Sequence, residues 1–149
     1  GLSISPELLS RLATLPNFNY IKDSSGDLNI HQIYLAESNI KVLNGADPTA
    51  VFSFMAGSYG AIWGCANYMP KECVQIWQQV QDGQHQQALD LWKKMIPSIT
   101  WLWSNDYISA IKTAGRIRGY AGGPVRAPLQ PLSSADEATL AKALSKLDG

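Results

Sequence analysis

Short apolar runs recur along the first half of the chain, each too brief for a helix and each closed by turn residues. Phe18 to Lys22, Ile40 to Asn44 and Ala61 to about Cys65 therefore read as strands. A helical period follows each turn. Ser24-Ser25-Gly26-Asp27 leads into a helix from Leu28 to about Glu37, with Asp27 as cap and Ile30, Ile33 and Tyr34 turned inward. Gly45-Ala46-Asp47-Pro48 leads into Thr49 to Ala56, a cap followed by a first-turn proline, and Ala66 to Pro70 starts the next helix. Before all of these, Ser5-Pro6-Glu7 opens a helix with Leu8, Leu9 and Leu12 on its apolar face. Three strand-turn-helix units in succession predict a parallel sheet with crossover helices, an α/β fold.

From Lys71 the pattern is almost wholly helical. Cys73, Trp77 and Val80 share a face, Gly83 breaks that helix, and Ala88, Trp92, Met95 and Ile96 line the next until Pro97 ends or kinks it. Asn105-Asp106 caps a helix burying Tyr107, Ile111 and Ala114. An extended connection from Gly122 to Pro131 follows, and Ser134 with Glu137 reads as a capping box for a last helix with Leu140, Leu144 and Leu147. The chain thus divides into an α/β portion, 1–70, and a helical portion, 71–149.

Composition narrows the function. At 149 residues and 46% apolar content, the chain suffices for one real core. Twelve basic and twelve acidic side chains cancel, which argues against nucleic acid or an anionic membrane as partner. No run reaches membrane-span length and no signal-peptide layout opens the chain, so the expected setting is soluble and cytoplasmic. Cys65 and Cys73 match neither a redox pair nor a zinc knuckle and read as small apolar fillers; His31 and His85 lie among polar neighbours without metal-ligand spacing. No metal is expected. Trp77, Trp92, Trp101 and Trp103 read as helix packing or a subunit surface, and Lys112, Arg116 and Arg118 as a solvated helix face.

One lysine stands out. Lys22 ends its strand immediately before a turn, with Phe18 and Tyr20 on its own face and Asn19 and Ile21 on the other. That places its amine at the C-terminal lip of a parallel sheet, where sites of α/β folds are built and where a partly desolvated lysine acts as a nucleophile. Taken alone, a solvated lysine at a strand end fits the pattern as well.

Its neighbours add a resemblance. Ile21-Lys22-Asp23-Ser24-Ser25-Gly26-Asp27, Asn44-Gly45-Ala46-Asp47, Gly57-x-x-Gly60-x-Ile62 with Ala66-Asn67 and Pro70, and Val125-Arg126-x-Pro128-Leu129 occur in order. This series resembles the C-terminal part of the dihydrodipicolinate synthase and N-acetylneuraminate lyase family, the Schiff-base class of pyruvate-dependent aldolases and lyases. The resemblance implies part of a (β/α)8 TIM barrel, about strands six to eight, followed by a helical appendage. A whole barrel takes ~250 residues. The absent half would carry the Thr-Thr-Gly-Glu type loop, the proton-relaying tyrosine and the arginine for an aldehyde's carboxylate.

The resemblance further implies that Lys22 forms an imine with pyruvate or another 2-oxo acid, with no separate cofactor. The main-chain carbonyl of Ile62 would lie near the pyruvyl group, unless Ile62 is simply a strand core residue. Gly45 admits close backbone approach, as a plain turn glycine would. Ser24 would reach a substrate hydroxyl or stabilise its own turn, and Asp47 would touch the distal substrate or only cap its helix. Trp63, if it faces the pocket, would exclude a long polyhydroxylated substrate. The implied partners are the missing N-terminal half of the barrel and further copies in a dimer or tetramer. Family alternatives are a dehydratase or deaminase, or a non-catalytic keto-acid-binding half-barrel.

Overall fold

A computed structural model describes residues 4–37, 39–120 and 122–148. They fall into two compact units, Gly1–Trp63 and Gly64–Gly149. The first begins with α1 (Pro6–Leu12), where the Ser5 hydroxyl accepts the Leu8 N–H at 3.2 Å. Then come β1 (Tyr20–Asp23), α2 (Leu28–Leu35), β2 (Lys41–Asn44), a 3-10 turn (Asp47–Thr49), α3 (Ala50–Met55) and β3 (Gly60–Ala61). Asp27 caps α2 as expected, accepting the Asn29 N–H at 2.8 Å. The strands form one parallel sheet in the order β1-β2-β3, with Lys22 opposite Leu43 and Leu43 opposite Gly60.

Several local expectations shift. Strand β1 starts only at Tyr20, because the Phe18 N–H is taken by the Leu15 carbonyl at 3.1 Å in the turn after α1. Phe18 consequently packs with Leu9, Ile21, Tyr34, Ile40 and Val42, on the opposite side from Lys22. On α2 the buried positions are His31 and Tyr34, while Ile33 is exposed, so a histidine occupies the inward face that the apolar period gave to isoleucine. Asp47 stands inside the 3-10 turn and not at its cap, which is Ala46. Strand β3 pairs over two residues only, and the chain then turns through Gly64–Asn67.

The second unit contains α4 (Pro70–Gln81), α5 (His85–Trp103), α6 (Tyr107–Ile117), α7 (Ser134–Leu144) and a 3-10 turn, Ser145–Leu147. Helix α5 runs through Pro97. The lost amide bond is offset where Ile99 and Leu102 bury themselves in the following turns. The cap of α7 is Ser133 instead of Ser134, its hydroxyl accepting the Asp136 N–H at 3.1 Å. Glu137 is thereby freed from a capping box and pairs with Arg116 at 2.6 Å. Lys112 and Arg116 on α6 and Arg118 at its C-terminal cap are all engaged, since Lys112 donates to the Gly122 carbonyl and Arg118 pairs with Glu72 at 2.7 Å and Asp148 at 3.0 Å. Trp92 is buried, Trp77 and Trp101 are half-buried, and Trp103 meets Tyr107 edge-on at 5.9 Å. Cys65 and Cys73 are buried with their sulfurs 3.5 Å apart.

Candidate functional site

Alternation along the strands sorts the first unit into two sheet faces. Ile21, Asp23, Val42 and Asn44 are buried on one side, called the rear. On the front, Lys22 and Lys41 are exposed and Leu43 is half-buried. Extending the register by one residue sets Ser24 beside Gly45 and Gly45 beside Ile62 on that same front face. Four of the five residues singled out in the sequence thus converge at the C-terminal ends of adjacent strands.

Their packing explains the glycine. A Cβ built on Gly45 would stand 2.5 Å from Lys22 Cε and would also overlap the Ser24 hydroxyl. Only a residue without a side chain lets the lysine stem lie across the β2 turn. Lys22 itself is exposed, not partly desolvated, and among the described residues its amine has no hydrogen bond or ion pair.

Ser24 is not what ties the first turn, because the Asp23 carboxylate accepts the Ser25 N–H at 2.9 Å and the Ser25 hydroxyl accepts the Asp27 N–H at 3.1 Å. Its hydroxyl stays beside Lys22. The second turn has the same construction: the Asn44 side chain accepts the Ala46 N–H at 3.1 Å and donates to Thr49 at 2.9 Å. Ile62 is 54% exposed and is no core residue; its N–H donates to the Asn44 carbonyl at 2.8 Å, fixing the end of β3. Asp47 is buried beyond the second turn.

Trp63 falls on the rear parity, its ring edge-on to Phe54 at 5.5 Å, so it does not narrow the front face. Below Lys22 the front face carries Tyr20 and Tyr59, rings 5.7 Å apart, with the Lys41 amine 5.3 Å and 4.6 Å from their centroids. The hydrogen bond to the Tyr20 hydroxyl, followed by the charges of the Tyr20 and Tyr59 phenol groups, raises the Lys41 ammonium above its ordinary range.

The rear face holds a group that periodicity did not reveal. Asp23 Oδ2 lies 2.8 Å from His31 Nδ1, and His31 Nε2 lies 2.5 Å from the Ser53 hydroxyl, all three residues buried. Burial would raise the Asp23 carboxyl, but hydrogen bonds from Ser25 and His31 and the attraction of the imidazole outweigh it and leave it lowered. Tyr34 is pushed up by burial and then by the nearby Asp23 charge. One signal was available in the sequence: Asp23 shares its strand parity with Ile21, and a carboxylate on a buried parity requires a partner.

Among the described residues, no cluster of three or more His, Cys, Asp or Glu is placed to hold a metal, and no helix is long and apolar enough to cross a membrane.

A parallel sheet with crossover helices on its rear and a lysine at the C-terminal end of its front defines part of a (β/α)8 barrel. The sequence profile of the dihydrodipicolinate synthetase family matches residues 1–147, and the chain belongs to that family. It is 31% identical over 150 residues to the 4-hydroxy-tetrahydrodipicolinate synthase of Methanothrix thermoacetophila, covering 99% of this chain and 51% of that protein. The Neisseria gonorrhoeae protein of the same name is 32% identical over 145 residues, covering 96% of this chain and 50% of its own length. Among solved structures, the chloride-inhibited dihydrodipicolinate synthase of Acinetobacter baumannii, complexed with pyruvate, superposes with a TM-score of 0.87 at 27% identity, covering 97% of this chain and 50% of that one. The Thermotoga maritima enzyme, at 23% identity and a TM-score of 0.87 over 96% of this chain and 50% of that one, shares the fold. The chain spans about half the length of the relatives it matches.

Proposed function

We propose that this chain supplies the imine-forming half of a Schiff-base lyase or aldolase acting on pyruvate or a related 2-oxo acid. The observation that carries the reading is the close passage of the Lys22 stem over Gly45 at the C-terminal ends of β1 and β2, in a chain of this family. The neutral Lys22 amine attacks the ketone carbon, the carbinolamine loses water, and an iminium forms. That cation accepts the electron pair released when the adjacent carbon loses a proton or a C–C bond breaks, giving an enamine that adds to an aldehyde or is reprotonated. In this reading Ser24 meets a substrate hydroxyl, and the carbonyl of Ile62 and the Gly45 backbone line the front of the adduct. Asp47, behind the second turn, acts on the distal substrate only through that turn.

The open front face favours a second element of the reading. Tyr20, Tyr59 and Ile62 are about half exposed there, and three strands cannot close a barrel, so turnover requires the strands that the longer relatives possess. The chain alone then binds or reacts at most slowly, and the assembled barrel forms the dimer or tetramer.

Incubation of the full-length protein carrying this chain with pyruvate and borohydride should leave a reduced adduct that peptide mapping places on Lys22. Labelling that persists in Lys22→Ala, or no adduct at all, refutes the assignment. Supplying the remaining barrel strands in trans to the 149-residue chain should raise its labelling.

A further inference from the structure

We infer that His31 is a positioning residue for Lys22: held between Asp23 and Ser53 behind the sheet, it fixes the end of β1 so that the lysine leaves the front face directed over Gly45. The inference rests on the reading of Lys22 given above.

Three observations carry it. Asp23 directly follows Lys22 in β1 and is buried on the opposite face, so the bonds that anchor its carboxylate and carbonyl hold the backbone next to the lysine. The relay spans three elements, Asp23 on β1, His31 on α2 and Ser53 on α3, with links of 2.8 Å and 2.5 Å. Finally, the same aspartate secures both sides of the site. Its carboxylate takes the Ser25 N–H at 2.9 Å, and its carbonyl takes the Gly45 N–H at 2.7 Å.

On the front, the Lys22 stem and the Ser24 hydroxyl both lie in the space that a Cβ on Gly45 would take, so the direction in which Lys22 leaves the strand decides whether it passes over that glycine. A buried polar chain is an expensive way to fill a helix-sheet contact that leucine and alanine would fill more simply. Its direction, ending on the residue beside Lys22, gives it a use. Both ring nitrogens have partners, Nδ1 the Asp23 carboxylate and Nε2 the Ser53 hydroxyl.

The test uses the full-length protein and two substitutions. His31→Leu removes the relay at similar volume, and Ser53→Ala removes only its outer link and keeps a folded comparison should the first variant fail to fold. Borohydride trapping is followed against pyruvate concentration at a temperature where circular dichroism shows the variants folded. The maximal trapping rate on Lys22 should fall by roughly tenfold or more in His31→Leu and by about threefold in Ser53→Ala, with little change in the half-saturating pyruvate concentration. His31→Gln, which can still donate to Asp23, should recover part of the loss. Hydrogen exchange of peptides containing Ser25 and Gly45 should quicken in step.

Folded variants that label Lys22 at the parental rate overturn the positioning role, whatever their exchange behaviour. A parent protein that never labels Lys22 overturns the reading on which it rests, and the parent control tells the two failures apart.

Discussion

The two faces of the three-stranded sheet are built from alternate residues of the same segments and have opposite characters. On the rear, Ile21 and Val42 join Leu9, Tyr34 and Ile40 in a closed apolar cluster, and every polar group described there is satisfied. On the front, Lys22 is exposed without a partner among the described residues, and Ile62 and the two tyrosines are open. Burial on the rear supplies stability, at about 1.5 to 3 kcal/mol for each large apolar side chain, and thereby holds the front side chains in place. The exposed and the cohesive positions are thus one residue apart along β1.

A matched pair of truncations breaks the comparison most sharply. Ile21→Ala, on the rear, should cost about 2 to 4 kcal/mol in chemical denaturation, whereas Ile62→Ala, on the front, should stay within about 0.5 kcal/mol. Equal losses would mean that the faces are not divided as described.

The next effect reverses the readout. Gly45→Val should leave most of the stability intact but displace the Lys22 stem, reducing pyruvate trapping about 100-fold, equivalent to roughly 2.7 kcal/mol. Normal trapping in this variant would show that the lysine does not need the path over the β2 turn.

The smallest effect appears in acid. Because the Asp23 carboxyl is lowered in the folded protein, its contribution to stability is complete above the unfolded value of about 3.9 and is lost as pH falls through the lower folded value. Asp23→Asn should therefore flatten the pH dependence of stability below about pH 4 relative to the parent. Parallel acid curves would remove Asp23 from the stabilising network.

Much of this was legible locally. The parallel α/β order, the Asp27 cap and the position of Lys22 at a strand end follow from strand alternation and turn chemistry, which act over a few residues, whereas Ser24, Gly45 and Ile62 were picked out by the family resemblance. Boundaries were less legible. Phe18 looked like the start of β1, but a hydrogen bond back to Leu15 kept it in the preceding turn. Ser134 and Ser133 are interchangeable by pattern, and the backbone angle at Ser133 chose the cap. Trp63 has a definite face only because β3 pairs at Gly60 and Ala61.

The sequence by itself determined the alternation that turns Lys22 away from Ile21, a steric rule between near neighbours, and carries the motifs of the family to which the chain belongs. The passage of the Lys22 stem over Gly45 joins two strands and belongs to the tertiary structure. The tertiary structure alone decided that His31 would join Asp23 to Ser53, because Ser53 lies 22 residues further along the chain. No periodicity specifies such a partnership. It arises only when α2 and α3 pack behind the sheet and the cost of burying an unpaired polar group selects the arrangement in which each finds a partner.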